Sequence, residues 1–233
     1  MLAHAGHGTR SAVRGLIASG AVTVDGLRVT DASKEVTPHA EVGLQGVLVP
    51  WPGLRYIMLH KPAGVVSATE DAQATVLDLL PKTVARELFP IGRLDKDTEG
   101  LLILTNDGAY AHALTAPKKH VPKLYRAAVS GQVAEDTVAA FTQGITLSDF
   151  IAQPAALVIV GPWQHTGWTE VTVEVCEGKY HQIKRMFQTC GAQVEYLRRE
   201  RIGGLMLDMT LQPGDWRDMT KAEVDSARGE GGT

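Results

Sequence analysis

The spacing of apolar positions changes several times along the chain, and each change marks an element. Val13, Leu16 and Ile17 recur at helical spacing behind Thr9 or Ser11, either of which can cap a helix. Arg10 and Arg14 lie four apart on one face of that helix, and Gly20 suits its exit. Val22 and Val24, then Asp25-Gly26, then Leu27 and Val29 predict a short hairpin with a type I′ turn. From Gly43 to Leu54 the period breaks among Gly46, Pro50, Pro52 and Gly53, which predicts a linker. Beyond it, apolar runs predict strands at Tyr56–Leu59, Leu101–Thr105, Tyr125–Val129, Val171–Val175, Val194–Leu197 and Met206–Leu211. Helices are predicted at Val76–Leu80 before Pro81, after Asn106-Asp107-Gly108 as far as Leu114, and at Gln182–Cys190 before Gly191. Thr220 and Glu223 have capping-box spacing for a last helix, and the small polar tail from Ser226 to Thr233 is expected to be disordered. Strands and helices intermix without regular alternation, so the expected class is α+β.

Length and composition narrow this picture. A chain of 233 residues, 44% hydrophobic, holds a medium domain and a small one. Neither a run of about 18 apolar residues nor a leader pattern occurs, so no membrane span or secretion is expected. Cys176 and Cys190 are expected as free thiols in a reducing compartment, and the protein as a cytoplasmic monomer. The net charge of −3 hides local basic runs. Lys118, Lys119, Lys123 and Arg126 form one, and Lys179, Lys184 and Arg185 another. Arg198, Arg199 and Arg201 follow with only Glu200 among them. Several such runs beside aromatic residues favour a phosphate-contacting surface.

Candidate chemistry concentrates in a few strings. Ile91 to Leu102 reads I-G-R-L-D-K-D-T-E-G-L-L, with Arg93 and Asp95 in an apolar context. The buried run that follows holds Asp95 at the mouth of a packed element, where an unpaired carboxylate is most costly. Taken alone, Asp95 reads as a salt-bridge or turn residue. The longer string resembles the central motif of the pseudouridine synthases, which isomerise uridine within RNA. In that family the aspartate of R-L-D is catalytic, and the resemblance places that role on Asp95. Further strings extend the resemblance over nearly the whole chain: K-P-A-G-V-V from Lys61, K-L-Y from Lys123, and E-G-K-Y-H-Q-I-K-R-M from Glu177. The first is by itself an ordinary turn, and Tyr125 by itself reads as a core tyrosine. The family match implies that Tyr125 packs on the target uracil and that Lys184 pairs with the catalytic aspartate.

The helix and hairpin at the start resemble the S4 RNA-binding module, entered part-way into its pattern at Met1-Leu2-Ala3-His4. The expected organisation is a short S4-like domain over residues 1–43 and a linker over 44–54. A catalytic domain follows over 55–225, built on a mixed, mostly antiparallel sheet with flanking helices, and a tail occupies 226–233. The resemblance implies RNA contacts from Arg10 and Arg14 on the small domain. On the large one it implies contacts from Lys61, Arg93, Lys118, Lys119, Lys123, Lys179, His181 and Arg185. Arg93 would fill the space a flipped base vacates. P-K-K-H-V-P-K-L-Y, K-Y-H-Q-I-K-R-M-F and R-E-R-I-G-G-L-M-L-D are similar to the small-subunit (RsuA) type of ribosomal-RNA synthase. That type implies 16S RNA, or a small-subunit assembly intermediate, as partner and a uridine-516-type target. The alternatives are a large-subunit ribosomal-RNA enzyme and a non-catalytic RNA-binding assembly factor. The isomerisation is redox-neutral and needs no group donor, so no cofactor is expected. No metal is expected either, since His4 and His7 lack a partner ligand. Ser67 and Ser130 lack a recognisable base.

Overall fold

The computed structural model describes residues 1–233 except His4, Pro38, His39, Pro52, His165 and 230–233, and for Pro117 the backbone alone. Two compact units emerge, Met1–Leu54 with Thr83–Glu87, and Arg55–Lys82 with Leu88–Thr233.

In the first unit Thr9 caps helix α1 (Arg10–Ala18), its side chain accepting the Ala12 N–H at 3.2 Å. Strands β1 (Val22–Val24) and β2 (Leu27–Val29) are joined through Asp25 and Gly26, both at positive φ as a type I′ turn requires. The expected linker holds a second hairpin instead, β3 (Val42–Leu44) and β4 (Val47–Val49). Gln45 and Gly46 repeat the positive-φ turn, and the cross-strand pair Val42 and Val49 is buried. The glycine that marks a linker in composition is here a turn residue. All four strands form one antiparallel sheet in the order β2-β1-β3-β4. Leu2, Val13, Val22, Val24 and Val42 make its core with α1.

The second unit is built on a nine-stranded sheet. Its elements are β5 (Tyr56–Lys61), β6 (Phe89–Pro90), β7 (Glu99–Thr105), α3 (Gly108–Thr115), β8 (Lys123–Ser130), α4 (Glu135–Gln143), β9 (Ala156–Trp163) and β10 (Trp168–Val175). Then come α5 (Gln182–Thr189), β11 (Gln193–Ile202), β12 (Leu205–Met206), β13 (Trp216–Asp218) and α6 (Lys221–Ala227). A short helix, α2 (Lys82–Ala85), lies between β5 and β6 in sequence and falls almost wholly in the first unit. The strand order is β13-β5-β7-β11-β8-β10-β9, with β12 on β11 and β6 on β7. Every pairing is antiparallel except β7 with β11. Leu101 to Leu104 are all fully buried, which is why β7 reads as an unbroken apolar run rather than an alternating one. Met58, Leu101 and Ile103 pack on Tyr110 and Leu114 of α3 and on Val224 and Ala227 of α6. Helices α4 and α5 meet through Phe141 and Phe187, whose ring centroids are 4.7 Å apart.

The parallel pair explains one motif residue. Gly100 has φ of 105°, and a Cβ there would lie 2.2 Å from the Arg199 carbonyl oxygen. Only glycine lets β7 approach β11 this closely. Two further expectations are corrected. The strand expected over Met206–Leu211 is confined to Leu205–Met206, because the chain turns away at Asp208. The tail begins later than Ser226, because α6 continues to Ala227, whose side chain is fully buried. The rest of the tail, 230–233, lies outside the described residues, as does His4. Cys176 and Cys190 are free thiols.

Candidate active site

Asp95 sits on the loop that leads into β7, and that loop is braced from beneath. The Lys61 ammonium at the end of β5 is fully buried. It donates to the carbonyls of Pro62, Asp95, Lys96 and Thr98 at 3.0, 3.0, 3.2 and 2.9 Å. Burial pushes its pKa down to about 8, against the opposing pull of Asp97, Glu99 and Asp95. Gly64 adds a backbone bond to the Lys96 carbonyl at 2.8 Å. Ser67 locks the preceding residue, donating its hydroxyl to the Leu94 carbonyl at 2.9 Å and accepting the Leu94 N–H at 3.0 Å. Lys61 is therefore not the RNA contact expected of it. Its charge is spent on orienting the backbone of the aspartate loop, and the K-P-A-G string is a brace.

A lysine ammonium and a histidine ring face the Asp95 carboxylate from the start of α5. Lys184 Nζ is 3.5 Å from Oδ2, and His181 Nε2 is 3.6 Å from Oδ1. Lys184 lies closer to a second carboxylate, Asp97, at 2.5 Å. Burial works to raise the Asp97 pKa, but the hydrogen bond and charge of Lys184 outweigh it and hold it below the usual carboxylate value. Lys184 thus bridges Asp95 and Asp97. The R-L-D-K-D string carries both acids, and only the first is flagged by family resemblance. His181 adopts left-handed backbone, φ 49°, where it opens α5.

Tyr125 lies on β8, next to Arg199 of β11 in the sheet. It is mostly buried, and it lines the same small cleft, about 60 Å³, as Asp95, His181 and Lys184. The family-match trio Asp95, Tyr125 and Lys184 is therefore brought together. A wider cavity of about 490 Å³ shares Arg93, Tyr125 and Lys179 with that cleft and is also lined by Lys123 and Arg199. Arg199 is buried, donates to the Leu101 carbonyl at 2.8 Å and places Nη1 3.5 Å from the Tyr125 hydroxyl. No signal short of the β8–β11 register would reveal that contact.

The other expected RNA contacts fall into two groups. Arg93, Lys118, Lys119 and Lys179 are exposed on the large unit, and Arg10 and Arg14 are exposed on the small one. Lys123 and Arg185 are engaged within the protein. Lys123 is half-buried, donates to the Val121 carbonyl at 2.7 Å, and has its pKa lowered by burial. Arg185 is ion-paired with Asp149 and donates to Ser148 at 3.1 Å. Both cations already have partners within the protein. In the run at 198–201, Arg198 and Arg126 converge on Glu200, and Arg201 pairs with Glu174. Among the described residues, no group of three His, Cys, Asp or Glu residues is placed to hold a metal ion.

Comparison with known proteins matches this architecture. Residues 55–189 match the RNA pseudouridylate synthase family, and residues 1–42 match the S4 domain. An uncharacterised RNA pseudouridine synthase of Bacillus subtilis, YtzG, is 41% identical over 96% of this chain and 95% of its own. The ribosomal small subunit pseudouridine synthase A of Escherichia coli is 41% identical over 88% of each chain. Its Vibrio parahaemolyticus counterpart is 43% identical over 94% of this chain and 93% of its own. A crystal structure of a pseudouridylate synthase superimposes with a TM-score of 0.71 at 34% identity, covering 97% of this chain and 96% of the other. With its braced aspartate loop and its S4 domain, the chain belongs to the RNA pseudouridylate synthase family.

Proposed function

We propose that this protein converts one uridine of 16S ribosomal RNA, of the uridine-516 type, to pseudouridine, with Asp95 as the reacting carboxylate. The observation that carries the reading is the Asp95 carboxylate, flanked by Lys184 and His181 in the cleft that Tyr125 lines. Two relatives named as small-subunit synthases, 41% and 43% identical, support ribosomal RNA of the small subunit as substrate.

The chemistry needs few groups. The target base leaves the helix stack, at a cost of a few kcal/mol. Arg93, exposed beside Asp95, fills the vacated space and meets phosphate. The Tyr125 face packs on the uracil, and contact of this kind contributes roughly 1–3 kcal/mol per base. The N1–C1′ bond then breaks, uracil turns, and C5 bonds to C1′. The C5 proton is lost and N1 gains one, so atoms and charge balance without a redox partner or donor. Asp95 serves either as nucleophile at C1′ or as base at the ribose on a glycal route, and Lys184 attends its charge in both. The reading needs no cofactor and places the protein in the cytoplasm, acting as a monomer.

The test is pseudouridine mapping of 16S and 23S RNA treated with wild-type protein or with Asp95→Asn. Asparagine keeps the shape and loses the charge. The wild type is expected to modify one uridine, and Asp95→Asn none while still binding RNA. Modification in 23S RNA alone would move the assignment to the large subunit. Turnover by Asp95→Asn near the wild-type rate would remove Asp95 from the mechanism.

A further inference from the structure

Tyr180 is 75% exposed, the most open large apolar side chain among the described residues. Such a ring on a loose surface loop would mean little. This loop is not loose. Gln182 accepts the Lys179 N–H at 3.1 Å and donates to Glu177 at 2.7 Å, and Glu177 also accepts the Gln153 N–H at 2.8 Å. The Tyr180 carbonyl lies 3.5 Å from Arg185 Nη1. His181 is held in left-handed backbone, an arrangement that costs of order 1–3 kcal/mol in a residue with a Cβ.

The strained residue brings two rings together. Tyr180 and His181 stack with centroids 3.8 Å apart and planes 16° from parallel. The same imidazole reaches the Asp95 carboxylate at 3.6 Å. One face of Tyr180 is thus backed by a ring that touches Asp95, and its other face is open to solvent. Lys179 precedes it in the chain and is exposed, its ammonium held over the Phe150 ring 4.1 Å from the centroid. An exposed aromatic ring held from behind by a second ring is a surface on which a nucleic-acid base can stack.

We propose that Tyr180 is a stacking platform for the RNA base next to the target uridine. The proposal rests on the RNA-modifying reading above and adds a specificity-determining residue to it. A flipped uridine deprives its neighbour of a stacking partner. Tyr180 supplies a replacement one ring away from Asp95, while Tyr125 receives the target itself. The phenol hydroxyl has no part in this, so any flat ring at the position serves.

Fluorescence and kinetics together test it, using full-length protein and 16S RNA carrying 2-aminopurine on either side of the mapped uridine. Wild-type binding is expected to quench one of the two probes. Tyr180→Ala is expected to lose that quench and to raise KM by about five-fold to about a hundredfold, the range expected for one lost base stack. The loss should fall on KM rather than on the rate at saturating RNA, and Tyr180→Phe and Tyr180→Trp should restore both signals. Unchanged KM and unchanged quenching in Tyr180→Ala overturn the platform. A fall in the saturating rate with KM unchanged overturns it too, because Tyr180 then acts only through His181 on Asp95. A wild-type protein that modifies no uridine overturns the functional reading. Modification by the wild type with an indifferent Tyr180→Ala overturns the platform alone.

Discussion

Taking an ammonium out of water costs several kcal/mol unless its donors are matched, and Lys61 matches three donors to four carbonyls. Three of those carbonyls belong to the aspartate loop, so the cost of burial is offset by fixing the geometry of Asp95. Lys61→Met removes the donors and leaves the carbonyls to compete for water. We predict a drop of about tenfold to about a hundredfold in the single-turnover rate, the scale of a misplaced reacting group. RNA affinity should be nearly unchanged, which separates a brace from a phosphate contact. If affinity falls and rate does not, Lys61 faces RNA in solution. The family resemblance implied an RNA contact here because burial of the Lys61 charge depends on three carbonyls more than thirty positions away, which no local string shows. Asp95, Tyr125 and Lys184 were legible because each sits in a string that keeps its order. Asp97, Ser67 and Arg199 were not, since their roles arise from contacts between distant strands and loops.

Among elements, the legible ones carry their own local signals. Helix α3 has Asp107 as its cap, the first hairpin has Asp25-Gly26, and α6 has the Thr220–Glu223 capping box. Helix α4 lacks a side-chain cap bond at Ala134, and β9 is an edge strand with Val158 and Val160 exposed, so neither shows the expected pattern. Two elements invite tests. Gly100→Ala puts a methyl into the Arg199 backbone and should cost at least about 3 kcal/mol through overpacking and positive-φ strain together. A denaturant midpoint within error of wild type would show that β7 and β11 have room to part. In α6, Glu223 accepts two hydrogen bonds from Arg217. Those bonds, against opposing burial, hold its pKa down to about 2 from an ordinary 4.5. The unfolded chain therefore takes up this proton first as pH falls. The stabilisation is full above pH 4.5 and is lost as pH falls towards 2. Screening limits it to about 1 kcal/mol, or about 2–4 °C in Tm for a chain of this size. Glu223→Gln should show that deficit at pH 7 and none near pH 2. A deficit independent of pH would assign the loss to packing.

At the scale of the whole molecule, the two units divide the labour. His181, Lys184 and Tyr125, which surround Asp95, belong to the large unit, and Arg10 and Arg14 are exposed on the small one. Arg10→Ala combined with Arg14→Ala should raise KM for ribosomal RNA and leave the rate at saturating RNA near wild type. If both contact phosphates, the slope of log affinity against log salt should shrink by about 1.4–1.8. Unchanged affinity at low and moderate salt would reduce α1 to a packing element. The α+β class and the order of the two units were legible from the strings and turn signals. The sheet order was not, because the β7–β11 pairing joins segments about a hundred positions apart and shows only as one glycine. The Lys61 clamp also makes the molecule its own stopwatch. Amine-reactive reagents need a neutral, accessible lysine. The fold seals Lys61 completely, so a reagent reaches it only when the structure around it opens. Its acylation rate, read by peptide mass against that of surface lysines, therefore counts how often the aspartate loop lifts from its seat. Bound RNA that steadies the loop would slow the count.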